Sequence, residues 1–239
     1  AKIGYVGAYT YAEVISGYTS FYLGAKSVCP TVTMDVQFTG SWFSVSDEKS
    51  AAQNLIAKGS KLISQHADSM GAPSACEEAG VPNVSYNGST LEACPDTFIV
   101  SSRIDWVPYF KYIIGQAMEE KKIDTDWTGT LATNSVVLTE LGEKAPAEGT
   151  AAAITAAKEK LMNGTKRLLI LWPKFYRMYK KMAIKNATVD ENGKLTGYMA
   201  DVNPDTQAVE NGIFKESKFR SAPYFDIQID GITLLNSKF

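Results

Sequence analysis

Histidine and cysteine are scarce in this sequence, which narrows the chemistry that it can support. The 239 residues include a single histidine, His66, and three cysteines, Cys29, Cys76 and Cys94. The cysteines lack C-x-x-C spacing, so no zinc site or redox pair is indicated. They are either three small buried side chains or include a Cys76–Cys94 disulfide, which would imply an oxidising, extracytoplasmic setting. With one histidine and no Ser/His/Asp arrangement, we do not expect an enzyme.

The sequence also lacks a strong charge and a long apolar run. Its 24 basic and 26 acidic side chains give a net charge of −2, which argues against nucleic acid as the principal partner. No run of about 18 apolar residues is present, so no membrane-spanning segment is predicted. The chain opens directly on a strand pattern, and we expect that a signal peptide is absent or was removed before residue 1. A content of 45% hydrophobic residues is typical of a globular protein.

Phosphate-binding motifs are absent as well. The early glycines lack G-x-G-x-x-G spacing, and no G-x-x-x-x-G-K-[ST] occurs, which disfavours dinucleotide or nucleoside triphosphate binding. We therefore expect neither a cofactor nor a bound metal.

Short apolar strands alternate with helices through the first half of the chain. The patterns predict strands at 2–7, 31–37, 61–64, 81–86 and 97–101, and helices at 13–28, 47–58, 71–79 and 107–121. This alternation predicts an α/β fold with a doubly wound, mostly parallel sheet. Right-handed crossovers would then bring the carboxyl ends of the strands to one edge.

The pattern is weaker in the second half. It predicts an extended stretch at 129–137, an alanine-rich helix at 146–163, a hairpin turn at 190–193 and a last strand at 224–234. We therefore expect a ligand-binding lobe at 1–165 and a C-terminal extension at 166–239 whose short strands and turns pack back on the lobe.

Polar and aromatic side chains follow several of the predicted strands. In open parallel sheets the ligand crevice lies beyond the carboxyl ends of the strands. Amides, hydroxyls, a carboxylate and large rings suit a flat, uncharged small molecule with polar edges. The candidate binding residues are Trp42, Phe43, Gln65, His66, Asp68, Ser69, Asn87, Asp105 and Trp106.

Several of these residues have a second interpretation. Trp42 and Phe43 could each belong to the core, and neighbours on an extended chain face opposite ways, so at most one should enter the crevice. Asp68 could accept hydrogen bonds from a ligand or cap the helix near Gly71. His66 could contact a ligand, act as a base or be structural.

Seven stretches together resemble the basic membrane protein family, the purine-nucleoside-binding lipoproteins of bacterial ABC importers. They read KIGYVGAY, EVISGYTSFYLGAKSV, SWFS, EKSAAQNLIAKG, QHADS, DWVPYF and FRSAPYFDIQIDGI. The resemblance covers what in relatives is the second lobe and the C-terminal tail, and implies that the first lobe is missing from this chain. It implies a single lobe of the type I periplasmic-binding-protein fold, which is flavodoxin-like.

The resemblance also implies a function without a chemical step. In such receptors two lobes close on a purine nucleoside or nucleobase, outside the cytoplasm, for delivery to an ABC permease. The parent would be held at the membrane only by a lipid anchor outside this chain. Phe43 would stack on the base, and the segment from Gln65 to Ser69 would line the cleft with Asp105 and Trp106. Where relatives often carry a ribose-binding aspartate, this chain has Asn87, which favours a nucleobase.

Residues 168–181, LLILWPKFYRMYKK, depart from the family pattern. Relatives have a polar strand and turn there, whereas this chain has an apolar run and a basic, aromatic segment. One interpretation is a rearranged piece that covers surface exposed by the missing lobe. The alternative function is a truncated or engineered scaffold, in which this segment is a helix that binds a partner.

Overall fold

The structure is a computed structural model, and it describes residues 1–125, 127–163, 229 and 231–236 together with the backbone of four short strands. The helices are α1 (Ala12–Val28), α2 (Val45–Ala57), α3 (Gly71–Ala79), α4 (Val107–Met118) and α5 (Thr150–Met162). The strands are β1 (Lys2–Gly7), β2 (Thr33–Phe38), β3 (Ile63–His66), β4 (Asn83–Tyr86), β5 (Phe98–Ile104), β6 (Val136–Leu138), β7 (Thr188–Val189), β8 (Leu195–Thr196), β9 (Val209–Glu210), β10 (Ile213–Phe214) and β11 (Ile232–Leu234).

Seven of these strands form one sheet in the order β11-β2-β1-β3-β4-β5-β6. All neighbouring strands in it are parallel except β5 and β6, which are antiparallel. The order of β1 to β5 is the flavodoxin-like one, in which the connections reverse direction between β1 and β3. The predicted α/β class and mostly parallel sheet are confirmed.

Helices cover both faces of this sheet, as a doubly wound fold requires. On one face, Val14, Tyr18 and Tyr22 of α1 pack with apolar residues of β1 and β2. On the other face, alanines and Leu55 of α2 and α3 pack against Val6. The small side chains let α2 and α3 approach closely, since a Cβ at Gly71 would lie 2.2 Å from the carbonyl oxygen of Val45.

The third strand extends further than predicted, and this matters for the site. We expected it to end at Ser64, but β3 runs from Ile63 to His66, so that expectation is wrong. Gln65 and His66 pair with β1, and the amide of Ala8 donates to the His66 carbonyl at 3.1 Å. Two residues expected in a loop are therefore buried members of a central strand.

The later parts of the chain agree less closely with the predictions. The extended stretch at 129–137 is a strand only from Val136, and it forms the antiparallel edge. The last strand is also short, Ile232–Leu234, and pairs in parallel with β2. β7 and β8 pair as expected for a hairpin. The hairpin turn predicted at 190–193 and the segment 168–181 lie outside the described residues.

Cys76 and Cys94 are buried free thiols and Cys29 is half-buried, so the structure contains no Cys76–Cys94 disulfide. None of the described helices has the length and apolar character needed to cross a membrane.

Candidate functional site

A cavity of about 320 Å³ opens at the carboxyl ends of β3 and β4. The loops that follow these two strands supply its walls, together with the last residues of the strands. The lining residues are Gln65, Ala67, Asp68, Ser69, Met70, Tyr86, Asn87, Gly88 and Thr90. The cavity therefore lies one strand away from the point between β1 and β3 at which the strand order reverses.

The loop after β3, residues 67–70, is folded around the side chain of Gln65. Gln65 is 5% exposed, and its Nε2 donates to the carbonyl of Ala67 at 2.9 Å and to that of Ser69 at 3.4 Å. The Ser69 hydroxyl accepts from the amide of Gly71 at 3.1 Å. These hydrogen bonds hold the loop in one conformation before any ligand is bound, because they tie the side chains of Gln65 and Ser69 to the loop backbone.

The loop after β2, residues 39–44, lies against the loop after β3. The amide of Asp68 donates to the carbonyl of Trp42 at 2.8 Å. The carboxylate of Glu48, fully buried at the start of α2, accepts from the amide of Ser44 at 3.1 Å and from that of Ser69 at 3.3 Å. Burial raises the pKa of Glu48 above its ordinary value, although these donors act in the opposite direction.

Three aromatic rings, those of Tyr9, Tyr11 and Trp42, form a patch next to the loop after β3. The rings of Tyr9 and Tyr11 are stacked with centroids 5.0 Å apart, and Trp42 lies 5.6 Å from Tyr9 and 6.0 Å from Tyr11. Trp42 is half-buried, whereas Phe43 is 65% exposed. The two adjacent residues thus differ in exposure, and neither is among the residues that line the cavity.

His66 is a buried packing residue behind the cavity. Its ring lies 4.1 Å from that of Tyr86 and 6.1 Å from that of Trp42. Its Nδ1 has no hydrogen-bond partner, and a Cβ at Gly17 would lie 2.8 Å from this atom. Burial lowers the pKa of His66 to about 4, so the ring is neutral near pH 7. A neutral, buried imidazole fits a structural role better than a catalytic one.

The structure brings four of the predicted binding residues together around the cavity: Gln65, Asp68, Ser69 and Asn87. Asp68 and Asn87 are exposed, and Asn87 adopts a φ of 62°, the left-handed region that asparagine tolerates. Neighbouring Ser89 donates its hydroxyl to the Glu140 carboxylate.

Asp105 and Trp106 are not among the residues that line this cavity. An Asp105 oxygen accepts from the amide of Val107 at 2.9 Å, at the start of α4, and another lies 3.7 Å from Arg103. Trp106 is 57% exposed and contacts Tyr109 and Phe110 in the first turn of α4, the helix that it precedes. The contact with Val107 gives Asp105 a structural role just before α4 that its sequence position alone did not reveal.

Sequence reasoning did not single out Met70 or Glu48, and it did not name Tyr86 or Thr90 among the candidate binding residues. Tyr86 reads as the last residue of a strand, and only the pairing of β4 beside β3 brings its ring to the cavity. Glu48 reads as an ordinary acidic residue in the first turn of a helix. Its contact with Ser69, 21 residues away along the chain, has no signal in the sequence.

Within the described part of the chain, no group of three or more His, Cys, Asp or Glu side chains could hold a metal ion. The groups around the cavity can donate and accept hydrogen bonds and offer ring surface. This arrangement is suited to reversible binding of a small polar molecule.

Two curated proteins are similar to this chain in sequence. A purine-binding protein of Brucella abortus is 35% identical over 107 residues, which is 45% of this chain and 31% of that protein. A putative ABC transporter glucose-binding protein of Haloferax volcanii is 30% identical over 162 residues, which is 67% of this chain and 41% of that protein. The chain thus spans less than half the length of either relative.

A solved structure shares the fold. An ABC transporter solute-binding protein from Conexibacter woesei aligns with a TM-score of 0.59 and 23% identity, over 73% of this chain and 57% of that one. The sequence profile of the family described as "ABC transporter substrate-binding protein PnrA-like", or Bmp, matches residues 1–164. The match covers well over half of the sequence, and the chain belongs to the Bmp family of PnrA-like ABC transporter substrate-binding proteins.

Proposed function

We propose that residues 1–165 form a ligand-binding lobe of a solute receptor for an ABC importer, and that this lobe binds a purine nucleoside or nucleobase. The observation that carries the proposal is the cavity of about 320 Å³ between the loops after β3 and β4. Its volume is at the lower end of the range of about 300–1,000 Å³ found for small-molecule sites.

The chemistry of the cavity fits a purine. Tyr86 offers ring surface, and Asp68 offers a carboxylate that can accept from a purine N–H or a ribose hydroxyl. The hydroxyl of Thr90 and the amide of Asn87 can read both donor and acceptor positions on a heterocycle. Phe43, exposed in the loop after β2, provides a ring face on which a base could stack.

Asn87 bears on the choice between nucleoside and nucleobase. A neutral amide holds a pair of ribose hydroxyls less strongly than a carboxylate does, because charge-assisted hydrogen bonds are the stronger ones. Asp68 is the exposed carboxylate in this cavity and can take that role if a ribose is present. We therefore expect both ligand types to bind and the nucleobase to depend less on Asp68.

The role in the cell follows from the family. The receptor would act outside the cytoplasm, deliver its ligand to a permease and catalyse no reaction. Asp105 and Trp106 would contact the ligand only in a closed receptor, since they do not line the cavity of this lobe. The alternative, a scaffold that binds partners through residues 168–181, predicts that deleting this segment removes partner binding and leaves a purine response intact.

The direct test is a thermal shift and calorimetry panel on the 239-residue chain. The ligands are adenosine, guanosine, inosine and their bases, with glucose included because one relative is named a glucose-binding protein. A single lobe lacks the contacts made on closure, so we expect a Kd of about 0.1–1 mM for a purine. A response to glucose with none to any purine would overturn the proposal.

A further inference from the structure

We infer that Glu48 is a positioning residue that holds the loops after β2 and β3 in the geometry needed for ligand binding. The inference rests on the proposed function, because it assigns a role to a residue behind the same cavity. Glu48 itself does not line the cavity. It acts through Ser69, which does, and through Ser44, which ends the loop that carries Trp42 and Phe43.

The contacts of Glu48 exceed what a helix cap needs. Ser44 already caps α2, with its hydroxyl accepting from the amide of Asp47 at 3.3 Å. A carboxylate that reaches back to the Ser44 amide completes an arrangement close to a capping box. The bond to the Ser69 amide adds nothing to α2, because Ser69 belongs to a different loop. This second bond joins the two loops.

The position of Glu48 is energetically demanding. Its side chain is fully buried, and it takes part in none of the ion pairs formed by residues 1–125 and 127–163. A buried carboxylate without a cation needs several hydrogen-bond donors to offset its loss of hydration. The amides of Ser44 and Ser69 are such donors, so the carboxylate and both loops depend on one another.

Two neighbouring contacts make the bridge possible. The amide of Asp68 donates to the Trp42 carbonyl, so the two loops are joined a second time next to the Glu48 carboxylate. A Cβ at Gly71 would lie 3.0 Å from the Cβ of Glu48, so only glycine lets α3 begin so close to α2. Together these contacts place Ser69 within reach of a carboxylate on α2.

Replacing Glu48 by glutamine tests the bridge selectively. Oε1 accepts from both Ser44 and Ser69, whereas Oε2 accepts only from Ser69. In Glu48→Gln an amide NH₂ takes the place of Oε2 and faces the Ser69 N–H, so Ser69 keeps at most its 3.3 Å contact with Oε1, while the bond from Ser44 to Oε1 can remain. Glu77→Gln is a matched control, because Glu77 also accepts from two backbone amides, those of Asp96 and Thr97, away from the cavity.

The experiment combines amide hydrogen exchange, measured by NMR, with calorimetric titration of guanosine. In Glu48→Gln we expect about tenfold faster exchange at Ser69, little change at Ser44 and about tenfold weaker guanosine binding. In Glu77→Gln we expect faster exchange at Asp96 and Thr97 with guanosine affinity unchanged within about twofold.

Each outcome decides the inference. Unchanged exchange at Ser69 would overturn it, and so would faster exchange with undiminished guanosine affinity. Equal weakening of binding in both variants would also overturn it, since general destabilisation would then be the cause. If the wild-type chain binds no purine, the proposed function fails, and the exchange at Ser69 alone decides whether Glu48 holds the loops.

Discussion

The side-chain amide of Asn236 pairs with both backbone groups of Phe38. Its Oδ1 accepts from the Phe38 amide at 2.7 Å, and its Nδ2 donates to the Phe38 carbonyl at 2.8 Å. A primary amide has the same donor and acceptor groups as a peptide, so Asn236 extends the pairing of β11 with β2 by one further step. Phe38 is the last residue of β2, and the loop with Trp42 and Phe43 follows it. The end of the chain therefore fixes the strand from which this loop departs.

Asn236→Leu should lower the free energy of unfolding by about 1–3 kcal/mol, because two half-buried backbone groups lose their partners. Urea denaturation of the wild-type and variant chains measures this difference. Asn54→Leu is the control, since it removes an exposed contact with Gln37 and should change stability by less than about 0.5 kcal/mol. If both substitutions changed the free energy of unfolding equally, the pairing of Asn236 with Phe38 would make no specific contribution to stability.

Gly71→Ala should destabilise the fold by at least about 2 kcal/mol. Its Cβ would lie 2.2 Å from the Val45 carbonyl oxygen and 2.9 Å from the Lys49 amide nitrogen, so α2 and α3 would have to separate. Gly24→Ala within α1 has nothing within 4 Å of the new Cβ and should instead stabilise by about 0.5–1 kcal/mol. Thermal unfolding of both variants gives the comparison, and a Gly71→Ala variant as stable as wild type would contradict the close packing of the helices.

Because of His66, the stability of the folded protein should decrease as the pH falls from 6.5 to about 4. The His66 pKa of about 4 in the folded protein lies below the value of 6.5 expected in the unfolded chain. Above pH 6.5 the ring is neutral in both states, and as the pH falls towards 4 the unfolded state binds the proton first. The wild-type chain should lose up to about 3 kcal/mol from this group over that range.

His66→Phe provides the reference for this measurement, because it keeps a ring against Tyr86 and cannot titrate. The stability difference between wild type and variant, from urea curves at a series of pH values, should change in favour of the variant between pH 6.5 and 4. If the stability difference between wild type and His66→Phe stayed constant from pH 6.5 to 4, His66 would not be buried in its neutral form.

Asp68→Asn should weaken nucleoside binding by about tenfold and nucleobase binding less, because the carboxylate is assigned to the ribose. Stability should change by less than about 0.5 kcal/mol, since Asp68 is exposed. Asp96→Asn, an exposed aspartate outside the cavity, is the control. Titration calorimetry with guanosine and guanine measures both effects, and an equal loss for the two ligands would place the carboxylate at the base instead.

Much of the fold could be predicted from local patterns. The apolar run of β1 and the helix α3, which is closed by Gly80 at a φ of 62°, have the bounds that the sequence predicts. Both signals are local: an apolar stretch with no polar interruption, and a glycine in the left-handed conformation that ends a helix. The parallel arrangement followed from the alternation of strands and helices.

The site was only partly predictable, because its details depend on contacts between distant residues. Gln65 and His66 are polar, so the pattern ended the strand before them, whereas pairing with β1 continues it. The roles of Asp105, at the start of α4, and of Glu48, between two loops, likewise depend on partners that no local pattern reveals. Spacing could place polar residues at one sheet edge, but it could not tell which of them face the cavity.

An NMR titration of the ¹⁵N-labelled chain with guanosine and adenosine tests directly whether the cavity binds a purine. If the cavity is the purine site, the largest amide shifts will occur at the residues that line it, namely Gln65, Asp68, Ser69, Asn87 and Thr90. They should saturate with a common Kd of about 0.1–1 mM. Absence of shifts up to about 10 mM ligand, or shifts confined to residues away from β3 and β4, would contradict the account.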